Sequence, residues 1–363
     1  MDEDFPITRV DHLELYAGNA KQAAAYYART LGFAVSGYRG LETGCRDSAS
    51  YVLDQGQVRL VLTGALTPDH PAARFVFEHG DGVGVIALEV PDAERAFAIT
   101  TTRGASAAIE PTAETDQHGT FRYAAIHAYG DTLIEFVERD KYRGLFRPGF
   151  EPCSSVDGRP TGLAAIDHIV GNVELGGMDR WVKFFARTMG FTQLVHFDDK
   201  KITTEYSALM SKVMQDGTGR IKFPINEPAT GRRKSQIQEY LEYNHGPGVQ
   251  HVAFATRDIV ATVSQLKQRG LGFLRVPSTY YEDLEARVGR IDEPVDRLSE
   301  LGILVDRDEE GYLLQIFTQP VEDRPTLFFE VIERHGCRGF GEGNFKSLFE
   351  AIEREQARRG NLV

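Results

Sequence analysis

The chain has 363 residues, enough for two or more domains, and its 42% hydrophobic and 26% charged residues exclude an intrinsically disordered protein. Its formal net charge of −12 disfavours binding to nucleic acid or anionic membranes. No apolar run is long enough to span a bilayer, the acidic start MDEDFPITRV lacks a signal-peptide core, and the three cysteines form no CxxC pair. A reducing, cytoplasmic location is therefore expected.

The first predicted element is a strand followed by a helix at 10–33, and its sequence recurs at 166–191. Both segments begin with an apolar residue and Asp-His, alternate in hydrophobicity, and continue through a helical stretch into ART-x-GF. The glycine of that motif suits a helix C-terminus. A repeat over this length predicts two homologous halves.

Two further pairs of segments follow in the same order. EHGDGVGVIALEV (78–90) matches NHGPGVQHVAFAT (244–256), and DTLIEFVERD (131–140) matches PTLFFEVIERH (325–335). Each half looks like two smaller modules of strands and a helix, which is typical of an α+β fold. The predicted domains are 1–145 and 163–363, joined by a linker rich in Gly, Pro and Ser at 146–162.

Three polar positions of the repeat predict a metal site. The aligned pairs are His12 with His168, Val85 with His251, and Glu135 with Glu330. A lone strand histidine is usually a core residue, but the second half has three potential ligands where the first half has two. Two imidazoles and one carboxylate are the facial triad of non-haem iron(II) oxygenases. The prediction is one Fe(II) site in the second half, with His12 and Glu135 as structural remnants.

Motifs along nearly the whole second half resemble the 4-hydroxyphenylpyruvate dioxygenase family, and the first half resembles it more loosely. The motifs are IDHIVGNVE (166–174), EYSALMSKVM (205–214), KFPINEPA (222–229), KSQIQEYLE (234–242), GVQHVAF (248–254), GYLLQIFTQP (311–320), FFEVIERHG (328–336) and GFGEGNFKSLFEAIEREQ (339–356).

The resemblance implies two tandem vicinal-oxygen-chelate half-barrels built from βαβββ modules, each an eight-stranded, half-open sheet with helices outside. It also implies that iron is bound by His168, His251 and Glu330. It implies conversion of 4-hydroxyphenylpyruvate and dioxygen into homogentisate and carbon dioxide, in tyrosine catabolism. It also implies a homodimer or homotetramer.

Seven residues match substrate-pocket positions of the family: Ser207, Asn226, Gln236, Gln250, Gln315, Phe317 and Phe345. No catalytic residue beyond these and the triad is implied. Gln315 and Phe317 share one strand face, whereas alternation places Gln250 opposite the face of His251. The ordinary alternative for each amide is a hydrogen bond within the protein. Phe317 and Phe345 are expected to enclose the substrate ring.

A helix is predicted at about 344–360, after the glycine-rich GFGEGN. Its apolar stripe, Phe345, Leu348, Phe349 and Ile352, has helical spacing and is usually core, but the glycines favour a lid that excludes water. A charged insertion at 277–303 lengthens the second half, and the sequence does not assign its role.

Three other functions remain open at this point. A 4-hydroxymandelate synthase shares the fold, triad and substrate, but this chain keeps Pro224, Asn226 and Phe345, where those enzymes generally depart from the dioxygenase pattern. An extradiol dioxygenase or glyoxalase shares the fold, although a glyoxalase usually needs a fourth protein ligand. A metal-free binding protein would take up no iron and consume no oxygen.

Overall fold

The structure is a computed structural model that describes residues 6–154, 158–197, 208–229 and 234–361. Within these ranges the strands of the first half are β1 (Arg9–Tyr16), β2 (Ala34–Arg39), β3 (Ser48–Gln55), β4 (Val58–Ala65), β5 (Gly82–Glu89), β6 (Ala107–Asp116), β7 (Gly119–His127), β8 (Leu133–Glu138) and β9 (Glu151–Pro152). Its helices are α1 (Ala20–Tyr26), continued by a π-helical turn at Tyr27–Leu31, α2 (Pro71–His79) and α3 (Ala93–Thr102).

The second half repeats this arrangement. Its strands are β10 (Ala165–Asn172), β11 (Thr192–Phe197), β12 (Ala208–Gln215), β13 (Lys222–Ala229), β14 (Gly248–Ala255), β15 (Leu304–Arg307), β16 (Tyr312–Phe317) and β17 (Phe328–His335). Its helices are α4 (Met178–Met189), α5 (Gln236–Tyr243), α6 (Ile259–Gln268), α7 (Leu284–Val288), α8 (Val295–Leu301) and α9 (Phe345–Arg358).

The two sheets share one strand order. In the first sheet it is β2-β3-β4-β1-β5-β8-β7-β6, and in the second it is β11-β12-β13-β10-β14-β17-β16-β15. The inner pairs β1/β4 and β5/β8 are parallel, and so are β10/β13 and β14/β17. The fold is α+β, with two curled half-barrel sheets in tandem, as the repeat and the family resemblance together predict.

The first sheet departs from the expectation of eight strands. Within the described residues it has nine, because β9 pairs with β2 at the edge of the sheet. β9 lies inside the predicted linker 146–162, so part of that segment belongs to the first sheet. The predicted domain boundaries otherwise stay a prediction.

Matching sequence signals place matching helices in the two halves. Gly32 and Gly190, the glycines of the ART-x-GF motifs, have φ angles of 89° and 70° and end the first helical segment of each half. Asp92 and Asp258 begin α3 and α6, and each side chain accepts a hydrogen bond from a backbone N–H in the first turn, at 2.9 and 2.8 Å.

Aromatic side chains pack the halves against each other. The ring pairs Tyr27–Phe329, Phe33–Phe254 and Tyr129–Phe185 have centroid distances of 5.8, 6.2 and 6.3 Å. Edge contacts of this kind add about 0.5–1.5 kcal/mol each beyond burial. A single buried core therefore extends through both halves.

The 277–303 insertion contacts the turn that precedes the C-terminal helix. It forms a 3-10 turn at Ser278–Tyr281 followed by α7 and α8. The Tyr280 hydroxyl accepts a hydrogen bond from the Val305 N–H at 2.8 Å and lies 2.6 Å from Asn344 Oδ1. The insertion thus supports the turn that precedes α9.

Helix α9 lies against α5. The Arg359 guanidinium, just beyond α9, pairs with Glu239 of α5 at 2.8 Å, and Arg354 donates to the Arg275 carbonyl at 3.0 Å. The side chains of Leu348 and Phe349 in the predicted stripe lie outside the described part of the structure, and the lid stays a prediction. No helix in the described ranges combines the length and the apolar character needed to cross a membrane.

Candidate metal centre

Three neighbouring strands carry the predicted ligands. β14 lies between β10 and β17, which brings His168 of β10, His251 of β14 and Glu330 of β17 to one side of the sheet. The β10/β14 ladder has register shifts between Ile166 and His168 and between Val170 and Gly171. Such bulges redirect side chains and are common beside active sites.

The three side chains converge. Glu330 Oε2 lies 3.1 Å from His168 Nε2 and 3.5 Å from His251 Nε2, and the three ligand atoms all lie within 4.8 Å of one another. The residues are only 4%, 9% and 2% exposed for His168, His251 and Glu330. Imidazole and carboxylate ligands bound to a metal at about 2.0–2.2 Å are separated by similar distances. The geometry and chemistry of the donor set fit a divalent metal ion.

His168 is held in place by an ion pair behind it. Its Nδ1 lies 2.7 Å from Asp167 Oδ1, and the Arg334 guanidinium binds both oxygens of Asp167 at 2.8 Å. Burial raises the pKa of Asp167, but Arg334 and His168 outweigh burial and hold the pKa well below its usual range. An ionised Asp167 keeps the hydrogen on Nδ1 and leaves the Nε2 lone pair for a metal.

His251 has a different support. Its Nδ1 lies 2.9 Å from Gln250 Oε1, and Phe328 stacks on the ring at 4.7 Å between centroids. Phe317 meets the same ring edge-on at 6.1 Å. Burial lowers the pKa of His251, which favours the neutral imidazole that binds metals.

The first half repeats the contacts of Asp and Arg with the histidine, but it lacks one of the three potential metal ligands. His12 Nδ1 lies 2.7 Å from Asp11 Oδ1, and Arg139 donates to Asp11 at 2.7 Å, as in the second half. Val85 is buried at the position of His251. Glu135 Oε1 is buried without a hydrogen-bond partner, and burial raises the pKa of Glu135 although the nearby Arg147 guanidinium and His12 lower it.

The predicted pocket residues occupy several positions around the centre. Ser207 lies outside the described residues. The Asn226 amide donates to Asn172 Oδ1 at 3.3 Å, while both amide atoms of Gln315 are buried without a hydrogen-bond partner. A Cβ at position 341 would lie 2.1 Å from Gln315 Nε2. The turn before α9 therefore needs glycine at this position for the Gln315 amide to keep its place.

Two of the predicted amides share a cleft whose lining does not include His168, His251 or Glu330, and one of the predicted aromatic rings lies in a small apolar cluster. Gln236 and Gln250 line one cleft together with Phe328. Phe345 packs on a small cluster formed by Val213, Ile237 and Phe340. Phe340 in turn meets the His168 ring edge-on at 5.2 Å.

Four residues around the two centres were not predicted from the sequence: Asp167, Arg334, Phe340 and Arg147. The sequence did contain a signal for Asp167 and Arg334. In both halves Asp directly precedes the histidine, and Arg follows Glu135 or Glu330 by four residues. Phe340 lies in the GFGEGN motif, and only Phe345, which follows that motif, was predicted to line the pocket. Arg147 lies in the predicted linker, and no sequence pattern connects it to Glu135.

A family model supports the fold assignment. The model described as the Glyoxalase/Bleomycin resistance protein/Dioxygenase superfamily matches residues 9–136 and 165–316, one stretch in each half. This match confirms tandem domains of the vicinal-oxygen-chelate type.

Similar proteins and solved structures identify the family within this superfamily. The chain is 45% identical to the 4-hydroxyphenylpyruvate dioxygenase of Yarrowia lipolytica, covering 97% of this chain and 93% of the relative. It is also 45% identical to that of Dictyostelium discoideum, covering 97% and 99%. A solved triple mutant of 4-hydroxymandelate synthase from Streptomyces coelicolor is 34% identical with a TM-score of 0.86, covering 97% of this chain and 99% of that one. From these matches, the chain belongs to the 4-hydroxyphenylpyruvate dioxygenase family.

Proposed function

We propose that this enzyme converts 4-hydroxyphenylpyruvate and dioxygen into homogentisate and carbon dioxide in tyrosine catabolism. The observation that carries the proposal is the convergence of His168, His251 and Glu330 in a chain 45% identical to dioxygenases of that name. The reaction balances. The carboxylate of the substrate leaves as carbon dioxide, one oxygen atom of dioxygen joins the former keto carbon in the new carboxylate of homogentisate, and the other becomes the new ring hydroxyl.

His168, His251 and Glu330 would hold iron(II). Iron(II) supplies dioxygen activation and a template for a 2-oxo acid when it is bound. Two neutral imidazoles and one carboxylate leave a dipositive ion with one positive charge. That charge complements the substrate carboxylate in a protein whose overall charge is negative.

The remaining residues position and shield the substrate. Asp167 and Gln250 fix the two imidazole rings through their Nδ1 atoms. The apolar wall formed by Phe340 and Phe345 excludes water. The proposed substrate contacts are Ser207, Asn226, Gln236, Gln250, Gln315, Phe317 and Phe345, with the amides directed to the phenol and the side chain.

A second candidate is formation of 4-hydroxymandelate from the same substrate. The similarity to the solved 4-hydroxymandelate synthase, 34% identical with a TM-score of 0.86, supports it. The higher identity to the dioxygenases favours ring attack. We expect Phe345→Ile to lower the homogentisate yield by loosening the wall of the site, measured by chromatography of the products. An unchanged yield would show that Phe345 is only a packing residue.

The proposal includes a cytoplasmic enzyme that forms a homodimer or homotetramer. The three cysteines are free, which supports a reducing location, and the edge strands of both sheets favour a covering partner. Light scattering of the purified protein would measure the oligomeric state.

The experiment that tests the reaction is anaerobic reconstitution with iron(II), followed by 4-hydroxyphenylpyruvate and air. Oxygen uptake and product identity are followed together. Homogentisate with one equivalent of oxygen consumed is the expected result. Hydroxymandelate would overturn the choice of reaction, and folded, iron-loaded protein without oxygen uptake would favour a binding protein.

A further inference from the structure

The outer face of β17 carries side chains that neither the triad nor the pocket uses. Glu333 and His335 lie three and five residues beyond Glu330, so strand alternation directs them to the opposite face of the sheet. Glu293, from the 277–303 insertion, meets them there. Within the described residues the ligand atoms of these three side chains lie within 4.8 Å of one another, as those of the triad do.

This cluster has more negative charge than its own hydrogen bonds can satisfy. His335 Nε2 lies 3.1 Å from Glu293 Oε1 and 3.0 Å from Glu333 Oε1, but one ring nitrogen carries at most one hydrogen. Glu293 Oε2 is buried and has no hydrogen-bond partner. The side chains of Glu293, Glu333 and His335 are only 14%, 10% and 31% exposed, so water screens the two carboxylates poorly.

The repeat shows that helix capping does not account for the cluster. Glu333 aligns with Glu138, and Oε2 of each accepts a hydrogen bond from the start of a helix, at 2.7 Å from Ile259 N and 3.3 Å from Ala93 N. In the first half, Oε1 of Glu138 faces Arg122 and Lys141 at 3.8 and 3.7 Å. In the second half, the equivalent oxygen faces an imidazole and another carboxylate.

The imidazole is held in an orientation that suits a ligand. Its ring stacks on Tyr312 with a centroid distance of 4.3 Å and an interplanar angle of 4°. The Arg307 guanidinium lies 5.2 Å from the Tyr312 centroid and bonds the insertion at the Val288 and Arg290 carbonyls. The stack directs His335 Nε2 at the two carboxylates, and a fixed ring orientation is typical of metal ligands.

We propose that Glu293, Glu333 and His335 form a second divalent-metal site that takes Zn²⁺. Zinc binds imidazole nitrogen and carboxylate oxygen at about 2.0–2.2 Å, which places such ligands roughly 3–3.5 Å apart. A dipositive ion neutralises the charge of the two carboxylates, which a single imidazole cannot do. The bound ion fastens the insertion to β17 and, through Glu333, to the start of α6.

Counting bound zinc separates the two sites. Equilibrium dialysis of the full-length protein against Zn²⁺, followed by metal analysis, should give two equivalents in the natural protein. Glu293→Gln and Glu330→Gln should each retain one equivalent, and the double variant should retain none. Glu138→Gln is the matched control, because it removes the equivalent carboxylate of the first half, and it should retain two.

A second measurement locates the ion. Zn²⁺ should slow tryptic cleavage after Arg287 and Arg290 several-fold in Glu330→Gln, in which only the proposed site remains, and should have no effect in Glu293→Gln. Folding is checked by circular dichroism without metal, and His335→Gln replaces Glu293→Gln if the latter is misfolded. Two equivalents in folded Glu293→Gln, or a single equivalent in the natural protein that Glu330→Gln removes, would overturn the proposal.

Discussion

The two halves of the chain build the same support around different centres. Asp11, His12 and Arg139 in the first half repeat the arrangement of Asp167, His168 and Arg334 in the second. Yet the first half has Val85 where the second has His251. A histidine anchored by an ionised aspartate therefore occurs in both halves of this chain, and the residue at the position of His251 is one difference between the metal centre and the packed core.

The carboxylates of the two halves also have different electrostatic surroundings. Glu330 faces two imidazoles, which outweigh the effect of burial and lower its pKa. The pKa of Glu135 is raised by burial, and the nearby Arg147 only reduces that effect. The raised pKa of Glu135 favours its protonated form, which is a poor metal ligand.

The largest expected effect comes from removing the anionic ligand. Glu330→Gln should bring turnover below detection and remove the iron, because a neutral carboxamide does not replace a carboxylate in this site. Oxygen uptake and iron analysis measure the result. Glu135→Gln is the matched variant, because it changes the equivalent carboxylate of the first half. Its folded fraction should have the turnover of the natural protein. Normal activity with full iron in Glu330→Gln would reject the assigned centre.

A smaller effect is expected from removing the negative charge of Asp167, which contacts His168 Nδ1. Asp167→Asn should weaken iron(II) binding about 10–100-fold, because Asn does not hold the Nδ1 hydrogen with an ionised group. Anaerobic titration measures the Kd. Asp11→Asn removes the equivalent carboxylate and should lower the Tm without changing the iron Kd. Equal losses of iron affinity in both variants would show that the effect is only structural.

Introducing a histidine at position 85 tests whether the first half lacks a metal site only because it lacks the equivalent of His251. Val85→His should bind no additional iron, because the nearby Arg147 guanidinium repels a cation and Glu135 favours its protonated form. It should destabilise the fold by about 1–3 kcal/mol through a buried polar ring. Metal analysis and thermal unfolding measure the two results. An additional equivalent of bound iron would show that the third ligand alone separates the halves.

The smallest expected effect lies at the junction of the halves. Glu322 lines a cleft with Asp81 of the first half, and burial, together with Asp81, raises the pKa of Glu322 to about 8. The folded protein then keeps a proton that the unfolded chain loses near pH 4–5, so this group lowers stability as pH rises from there to about 8.

Glu322→Gln should remove that part of the pH dependence. The variant should gain stability relative to the natural protein as pH rises from 5 to 8, while the Thr326 hydroxyl keeps an acceptor. Tm values measured across this pH range provide the check. Parallel Tm profiles for the two proteins would contradict the raised pKa.

Much of the architecture followed from local patterns. The Asp-His strands, the ART-x-GF helix ends and the matching third segments predicted two halves of one fold, because strand alternation and helix termination are short-range properties. The same alignment predicted the positions of His168, His251 and Glu330. Their individual roles as iron ligands remain part of the proposal.

The surroundings of those residues depended on contacts distant in sequence. Phe340 beside His168 and Arg147 beside Glu135 bring together segments that no periodic pattern connects. Strand β9 fell in a segment predicted as a linker, because two residues are too few for a pattern.

The sequence by itself determined the repeat, the fold class and the strand positions that carry the ligands. Only the tertiary structure decided which charges meet, such as Glu293 with Glu333 and His335. The physical reason is range: the face of a strand is set by alternation along a few residues, whereas the electrostatic environment of a buried carboxylate is set by all the chain segments that pack around it.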